Sequence, residues 1–386
     1  MNVLIIHPSL NRGGGAEKVC LAAIRALMHH GYWVKLVTVE RTDWRFLEAR
    51  FGALCRPSEE AYILERMPIR GKISQAVFTF SFFLAQLVYY RIKGKGDIVV
   101  NTYGDLVDSV ADISYINALP VRIMHRYPDC SFSSSILWRF IVQAYSLGLR
   151  ALDKLFRSAL LLTNSTFTQG VVKRHLRRDS LVVFPPVEVN KFGCNVKDVN
   201  RGNVVVAVSR LRVEKNLALI PRVAKLAGNG NFVIFGLADQ VSQNAVVALT
   251  ETIKGLGVED RVQLLINQPS GNLVDVLASA KAFLHTQHME AFGLAVVEAM
   301  AAGCVPVVPR DGGPWFDVLN QKQGEFGFSY RSDSEAAQLV KMLLADEDLR
   351  NEISVRACDR AKVFVCSVFE NKIVDAVNRV YQTKFR

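Results

Sequence analysis

The chain has 386 residues, half of them apolar, and carries 47 lysines and arginines against 36 aspartates and glutamates, a net charge of +11. Such a length predicts two medium domains or one large one and buries roughly three quarters of the unfolded chain's surface, which excludes a disordered or fibrous protein. The basic balance admits nucleic acid, anionic lipid or phosphate-bearing ligands without choosing among them.

In chain order, Met1-Asn-Val-Leu-Ile-Ile-His7 has neither a basic stretch nor a cleavage site. It reads as a first strand, Val3–Ile6, rather than a signal peptide. Ala16–His30 predicts a helix, with Val19, Ala23, Ala26 and Leu27 on one stripe and Gly31 as its stop. Trp33–Val39 is the next strand, and this order implies a parallel sheet with right-handed crossovers. Asp97–Asn101, Leu160–Asn164 and Leu181–Phe184 extend it. The polar stretch 190–203 reads as a linker. A second series follows, with strands at Asn203–Ser209, Asn231–Phe235, Arg261–Leu265, Ala282–Leu284 and Val305–Val308.

The expected fold class is α/β, with two doubly wound, Rossmann-like parallel-sheet domains facing a central cleft. The first would span 1–190 and the second 203–366, followed by a C-terminal segment at 367–386. Ligands of such sheets sit beyond the carboxyl ends of the strands. Two segments stand apart. Ile73–Tyr90 is 18 residues without a formal charge, includes Phe78, Phe80, Phe82 and Phe83, and is bracketed by Lys72 and Arg91. Its length is at the lower edge for a membrane span, but it contains Ser, Thr and Gln and falls where a βαβ unit needs a helix. It is expected to be a domain helix, buried or facing a membrane. Ile136–Arg157 is apolar on one side, with Arg139, Arg150, Lys154 and Arg157 on the other. Such a helix can lie on anionic lipid or simply belong to the domain.

The seven cysteines, at 20, 55, 130, 194, 304, 358 and 366, are odd in number, widely spaced and without C-x-x-C. This excludes a disulfide scaffold, argues against zinc, and predicts reduced thiols in a cytoplasmic setting.

Asn11-Arg-Gly-Gly-Gly-Ala-Glu17 lies between the first strand and the first helix. Its glycines allow close backbone approach, and free N–H groups at a helix start attract phosphate. It lacks the third glycine of the dinucleotide fingerprint, and a tight turn without a ligand is the other reading. Arg210 and Lys215 follow the first strand of the second series, five residues apart. Two cations there could hold a diphosphate and offset the charge that grows on it as it leaves; a solvated basic loop is the alternative.

The richest stretch is His285-Thr-Gln-His-Met-Glu-Ala-Phe-Gly-Leu-Ala-Val-Val-Glu-Ala-Met-Ala-Ala-Gly303. Glu290 and Glu298 are eight residues apart, about 12 Å along a continuous helix. That spacing disfavours two carboxylates acting on one bond and suits two contacts on an extended ligand. Glu298 sits in an otherwise apolar run and needs a partner, which sugar or ribose hydroxyls would supply. His285, His288 and Glu290 do not share one helical face, so no metal site is expected. Asp346-Glu-Asp348 reads as a helix cap.

Gly14-Gly15, Arg210 with Lys215, Glu290-x7-Glu298 around Phe-Gly, and Gly312-Gly-Pro314 occur in an order that resembles the retaining glycosyltransferases of family 4, with the GT-B fold. The stretch 290–303, Gly312-Gly-Pro-Trp-Phe-Asp317, Asn164-Ser-Thr-Phe-Thr168 and Pro185-Pro-Val187 are most similar to the dolichol-pathway mannosyltransferases that add α-1,2-linked mannose to a lipid-linked oligosaccharide.

The resemblance implies that Arg210 and Lys215 hold the donor diphosphate and that Glu298 binds the nucleotide ribose. Glu290 would contact the transferred sugar, helped by backbone N–H groups near Phe292, Gly293 and Leu294. Gly14 and Gly15 would leave room for donor phosphate and acceptor, and the final helix would return to the first domain. Relatives place a histidine after a first-domain strand where this chain has Tyr115-Ile-Asn-Ala-Leu-Pro120; Asn117 occupies the place and His125 is the nearest substitute.

The implied activity is transfer of a hexose to a hydroxyl of a lipid-linked glycan, without a metal or other cofactor. The donor would be GDP-mannose, with a UDP-sugar and another acceptor as the alternative; a non-catalytic nucleotide-sugar-binding protein is a reading from another class. An anionic membrane surface on its cytoplasmic face is an expected partner, and nucleic acid is not.

Overall fold

The computed structural model describes residues 1–66, 72–94, 97–105, 110–120, 143, 147, 160–193, 201–238 and 242–385. The chain divides into two compact units: Met1–Pro128, Phe132–Pro186 and Cys366–Arg386 form one, and Val187–Val365 with Asp129–Ser131 the other.

The first unit runs β1 (Asn2–Ile6), α1 (Gly15–His29), β2 (Trp33–Glu40), α2 (Trp44–Phe51), β3 (Glu59–Leu64), α3 (Lys72–Ile92), β4 (Ile98–Asn101), β5 (Ile113–Ile116), β6 (Leu160–Thr163), α4 (Thr166–Leu176) and β7 (Leu181–Val182). Its seven strands pair in the order β3-β2-β1-β4-β5-β6-β7, each pair parallel. Because side chains alternate along a strand, Val3 and Ile5 enter one apolar cluster with Val19, Ala23 and Leu27 of α1. Leu4 and Ile6 enter another with Phe82 of α3. Helices on both faces explain why β1 is an unbroken apolar run.

The second unit runs β8 (Gly202–Arg210), α5 (Leu219–Ala227), β9 (Asn231–Leu237), α6 (Gln243–Leu256), β10 (Val262–Ile266), α7 (Ser270–Ser279), β11 (Ala280–Leu284), α8 (Leu294–Ala301), β12 (Val305–Pro309), β13 (Phe328–Tyr330), α9 (Asp333–Ala345) and α10 (Glu347–Ala361). Its sheet order is β10-β9-β8-β11-β12-β13, again all parallel. Asp346 caps α10, its carboxylate accepting from the Leu349 N–H at 3.0 Å.

The last helix, α11 (Cys366–Phe385), packs with α1. Phe369, Ile373 and Val377 join the α1-side cluster, and Arg25 pairs with Glu370 at 2.6 Å. Buried Asp112 adds a polar clamp, taking Lys93 at 3.0 Å, Lys384 of α11, and the Val99 N–H at 2.9 Å.

Strands β3, β5 and β13 escaped the pattern reading: β3 opens on two glutamates at the sheet edge, β5 is broken by Ser114, and β13 is only three residues long. The uncharged segment forms α3, which buries Phe82 and Ala85 and exposes Phe80, Leu84 and Val88 on the opposite stripe. Among the described residues, no helix is long and apolar enough to cross a membrane. Apart from Gln143 and Leu147, Ile136–Arg157 lies outside the described residues. Cys20, Cys55, Cys304 and Cys366 are free thiols.

Candidate functional site

In the second unit β8, β11 and β12 are neighbours, so the loops after them meet beyond one edge of the sheet. Arg210 is the last residue of β8 and is exposed. A 3-10 turn at Val213–Lys215 follows, and Asn216 closes it in the left-handed region at φ 48°. Thr286 locks this turn to the loop after β11, its hydroxyl donating to the Lys215 carbonyl at 2.6 Å. The Lys215 ammonium donates to Glu290 Oε2 at 2.8 Å and to the Gln287 amide oxygen. Arg210 and Lys215 thus differ in state: one guanidinium faces solvent, while the ammonium is already engaged.

The loop 285–293 is held by backbone packing. His288 Nδ1 lies 2.7 Å from one Asp311 oxygen, and the other oxygen accepts the Met289 N–H at 2.7 Å. Gly313 donates its N–H to the Glu290 carbonyl at 2.7 Å. A Cβ at Gly313 would stand 2.2 Å from the Ala291 oxygen, which explains the second glycine of Gly-Gly-Pro: the chain there lies against the backbone that carries Glu290. Gly293, at φ 93°, caps α8, and a Cβ on it would meet Pro314 at 2.8 Å.

The helix therefore begins at Leu294, and Glu290 lies before it; the two glutamates are not on one continuous helix. Glu298 is buried within α8. The Phe292 ring is core, edge-on to Phe364 at 5.3 Å, so only its backbone is available to the loop. The Leu294 and Ala295 N–H groups open the helix ahead of the Val296 N–H, which donates to the Gly293 carbonyl at 3.0 Å.

Burial alone would raise the Glu290 carboxyl, but Lys215, His285 and Arg210 pull it down to about 2. Burial lowers His285 to about 4, with Lys215 and His288 adding to it and Glu290 and Asp311 opposing. Its Nε2 is 4.0 Å from Glu290 Oε2 and has no hydrogen-bond partner among the described residues. At neutral pH the site therefore holds an ionised carboxylate, an ammonium, an exposed guanidinium and a neutral imidazole, a set suited to a polar ligand bearing phosphate.

In the first unit the glycine turn leads into α1, which starts at Gly15. The Gly14 N–H is not free, since it donates to Glu17 Oε2 at 2.7 Å. This corrects the expectation of open N–H groups at that position. Glu17 is buried and its other oxygen is 3.8 Å from His7 Nε2, while His7 Nδ1 lies 2.9 Å from the Thr102 hydroxyl.

Asn117 follows β5 and acts as a strut: its amide donates to the Thr102 carbonyl at 2.8 Å and its N–H to Asp105 at 2.6 Å. Burial raises Asp105 to about 7 despite backbone N–H groups of Ala118 and Asn117. His125 lies outside the described residues. The sequence reading did not single out His7, Glu17 or Asp105. The signal was present at His7 and Thr102, the first residues beyond β1 and β4, where an apolar run turns polar at the ligand-binding edge.

Residues 195–360 match the family described as glycosyl transferases group 1. A mouse protein named GDP-Man:Man(3)GlcNAc(2)-PP-Dol alpha-1,2-mannosyltransferase is 32% identical over 92% of this chain and 82% of its own length. The protein of that name in Dictyostelium discoideum is 28% identical over 100% of this chain and 86% of its own length. Among solved structures, Anabaena HepE in complex with UDP and glucose superposes with a TM-score of 0.73 at 18% identity, covering 98% of this chain and 99% of that one. Sucrose-phosphate synthase of Thermosynechococcus elongatus superposes at 0.77 and 15% identity over 100% of both chains. The chain is a glycosyltransferase of GT-B fold, and it belongs to the glycosyl transferases group 1 family that holds these mannosyltransferases.

Proposed function

We propose that the protein moves mannose from GDP-mannose to a hydroxyl of a lipid-linked glycan, with retention at the anomeric carbon and without a metal ion. The observation that carries this reading is the Lys215–Glu290 pair at 2.8 Å beside exposed Arg210, on a chain whose relatives bear the mannosyltransferase name. Arg210 and Lys215 hold the donor diphosphate and offset its growing charge. Glu290 accepts from hydroxyls of the transferred sugar, with the backbone N–H groups of Phe292, Gly293 and Leu294 nearby, and Glu298 takes the ribose. Gly14 and Gly15 leave room for donor phosphate and acceptor.

In the chemical step the bond from the anomeric carbon to the diphosphate oxygen breaks. The acceptor oxygen bonds to that carbon on the same face, and its proton passes to the leaving diphosphate. The enzyme is held at the cytoplasmic membrane surface that carries the acceptor by the exposed stripe Phe80, Leu84 and Val88 of α3 and by the basic run Lys173-Arg-His-Leu-Arg-Arg178. The enzyme is then expected to sediment with anionic liposomes at low salt and to be released at high salt.

The decisive experiment incubates the protein with GDP-mannose, UDP-glucose or UDP-N-acetylglucosamine and a short-chain lipid-diphosphate glycan, with and without EDTA, and weighs the products. A single added hexose from GDP-mannose, unaffected by EDTA, is expected. Transfer from a UDP-sugar alone overturns the donor, and EDTA-sensitive transfer overturns the metal-free mechanism.

A further inference from the structure

Lys215 is committed to Glu290 and Gln287, yet the reading above assigns the same ammonium to the donor diphosphate. A nucleoside diphosphate sugar brings two negative charges and draws that ammonium toward its phosphoryl oxygens. Glu290 must then remain ionised and oriented in a largely buried place, where an unpaired carboxylate is costly.

One neighbour is placed to receive it. The His285 ring is buried, its Nε2 is unpartnered among the described residues, and that atom lies 4.0 Å from Glu290 Oε2, the oxygen that Lys215 occupies. The backbone at His285 is fixed on both sides, its N–H donating to the Val307 carbonyl at 2.9 Å and its carbonyl accepting from the Tyr330 hydroxyl at 2.8 Å. A ring so anchored has one polar atom with nothing to bond until Glu290 or Lys215 moves.

We propose that His285 is a positioning residue for sugar transfer: its Nε2–H takes up Glu290 Oε2 as Lys215 turns to the donor diphosphate, and so keeps the carboxylate aimed at the transferred sugar. The exchange needs a shift of about 1 Å to reach hydrogen-bond distance. The inference rests on Lys215 binding the donor diphosphate. A neutral ring suits the task, because an imidazolium would hold Glu290 in a competing ion pair before the donor arrives. The titratable groups facing the ring are Glu290, Lys215, Asp311 and His288, and burial with the Lys215 charge keeps it neutral above about pH 4.

The test uses the full-length chain with 15N-labelled histidine, GDP as the probe, and three variants. On GDP binding, the Nε2–H signal of His285 is expected to move downfield and to exchange more slowly. His285→Phe fills the volume without a donor and should lower kcat on the order of 10–100-fold, the range for residues that orient a functional group from behind. Donor KM should change by less than about threefold. His285→Gln restores an N–H donor and should recover most of the rate. A rate for His285→Phe near wild type, or for His285→Gln no better than His285→Phe in a folded protein, overturns the proposal, as does an unmoved Nε2–H signal. Lys215→Ala separates the two levels. If it binds GDP as tightly as wild type, the diphosphate assignment falls and this inference falls with it. If GDP binding weakens while His285→Phe remains fully active, only the inference falls.

Discussion

Each unit places a histidine just past the carboxyl end of an inner strand and a glutamate at or before the next helix. His7 follows β1 and faces Glu17 at 3.8 Å; His285 follows β11 and faces Glu290 at 4.0 Å. Both rings are buried, yet their charge states are opposite. Burial lowers His7, but Cys20 and the Glu17 carboxylate outweigh it and raise the ring to about 9; burial wins at His285, which falls to about 4. The difference lies in what surrounds each ring: Cys20 and Glu17 raise His7, whereas Lys215 and His288 join burial in lowering His285. Glu17 accepts the Gly14 backbone N–H, a dipole that leaves its charge available to His7. Glu290 accepts a full ammonium from Lys215, so a second cation gains little and the ring stays neutral. In both pairs the ring Nε2 has no hydrogen-bond partner among the described residues.

The largest expected effect removes that ammonium. Lys215→Ala takes away the cation proposed for the donor diphosphate and should cut transfer on the order of a thousandfold, the upper range for loss of one preorganised charge-stabilising donor. With Glu290 no longer satisfied, the His285 pKa should rise above about 4, as followed by NMR titration of its ring nitrogens. A ring that stays at its wild-type value in the variant would mean that burial alone sets it, and the comparison would lose its cause.

How much of this was legible beforehand depends on the kind of signal. The order of β1, α1 and β2 could be read because each is a short apolar run or a regular stripe, and Glu290, Glu298, Arg210 and Lys215 could be read because their types and spacing repeat a family pattern. Strand β13 could not, since three residues carry too little periodicity, and β5 could not because Ser114 breaks its short apolar run. The reason for Gly312-Gly313 was also hidden. Nothing in the sequence shows that their backbone crosses the Glu290 carbonyl at 2.7 Å. The prior engagement of Lys215 was invisible for the same reason: its partners are 72 and 75 residues away.

Glycines sharpen the contrast between the units at a smaller scale. Gly313→Ala would drive a Cβ to 2.2 Å from the Ala291 carbonyl and 2.6 Å from the Phe292 Cα. Neither backbone atom can yield without moving the loop, so a loss of about 3 kcal/mol is expected in urea unfolding, with activity falling as Glu290 is displaced. Gly14→Ala meets only the end of the Glu17 side chain at 2.9 Å, at an ordinary φ of −104°, and should cost less than about 1 kcal/mol. A folded Gly14→Ala protein with impaired transfer would then report ligand contact at the glycine turn, whereas equal destabilisation by both changes would erase the distinction.

The smallest effect is a divergence with pH. His285 has a folded pKa of about 4 against an ordinary 6.5, so its contribution is present above pH 6.5 and is lost as pH falls toward 4. Glu290, held to about 2, begins to lose its contribution only below pH 4.5. In the first unit the signs reverse. His7, at about 9, contributes fully below pH 6.5 and loses that as pH rises through 9, and Asp105, at about 7, regains stability as pH falls from 7 toward 3.8. Lowering the pH from 6.5 to 5 should therefore cost the second unit about 2 kcal/mol through His285 while the first unit holds or gains. Hydrogen exchange at β11 and β12 against β1 and β4, corrected for intrinsic rates, reads the two separately. Parallel loss of protection in both sheets over that interval would show that the two histidines do not differ in charge.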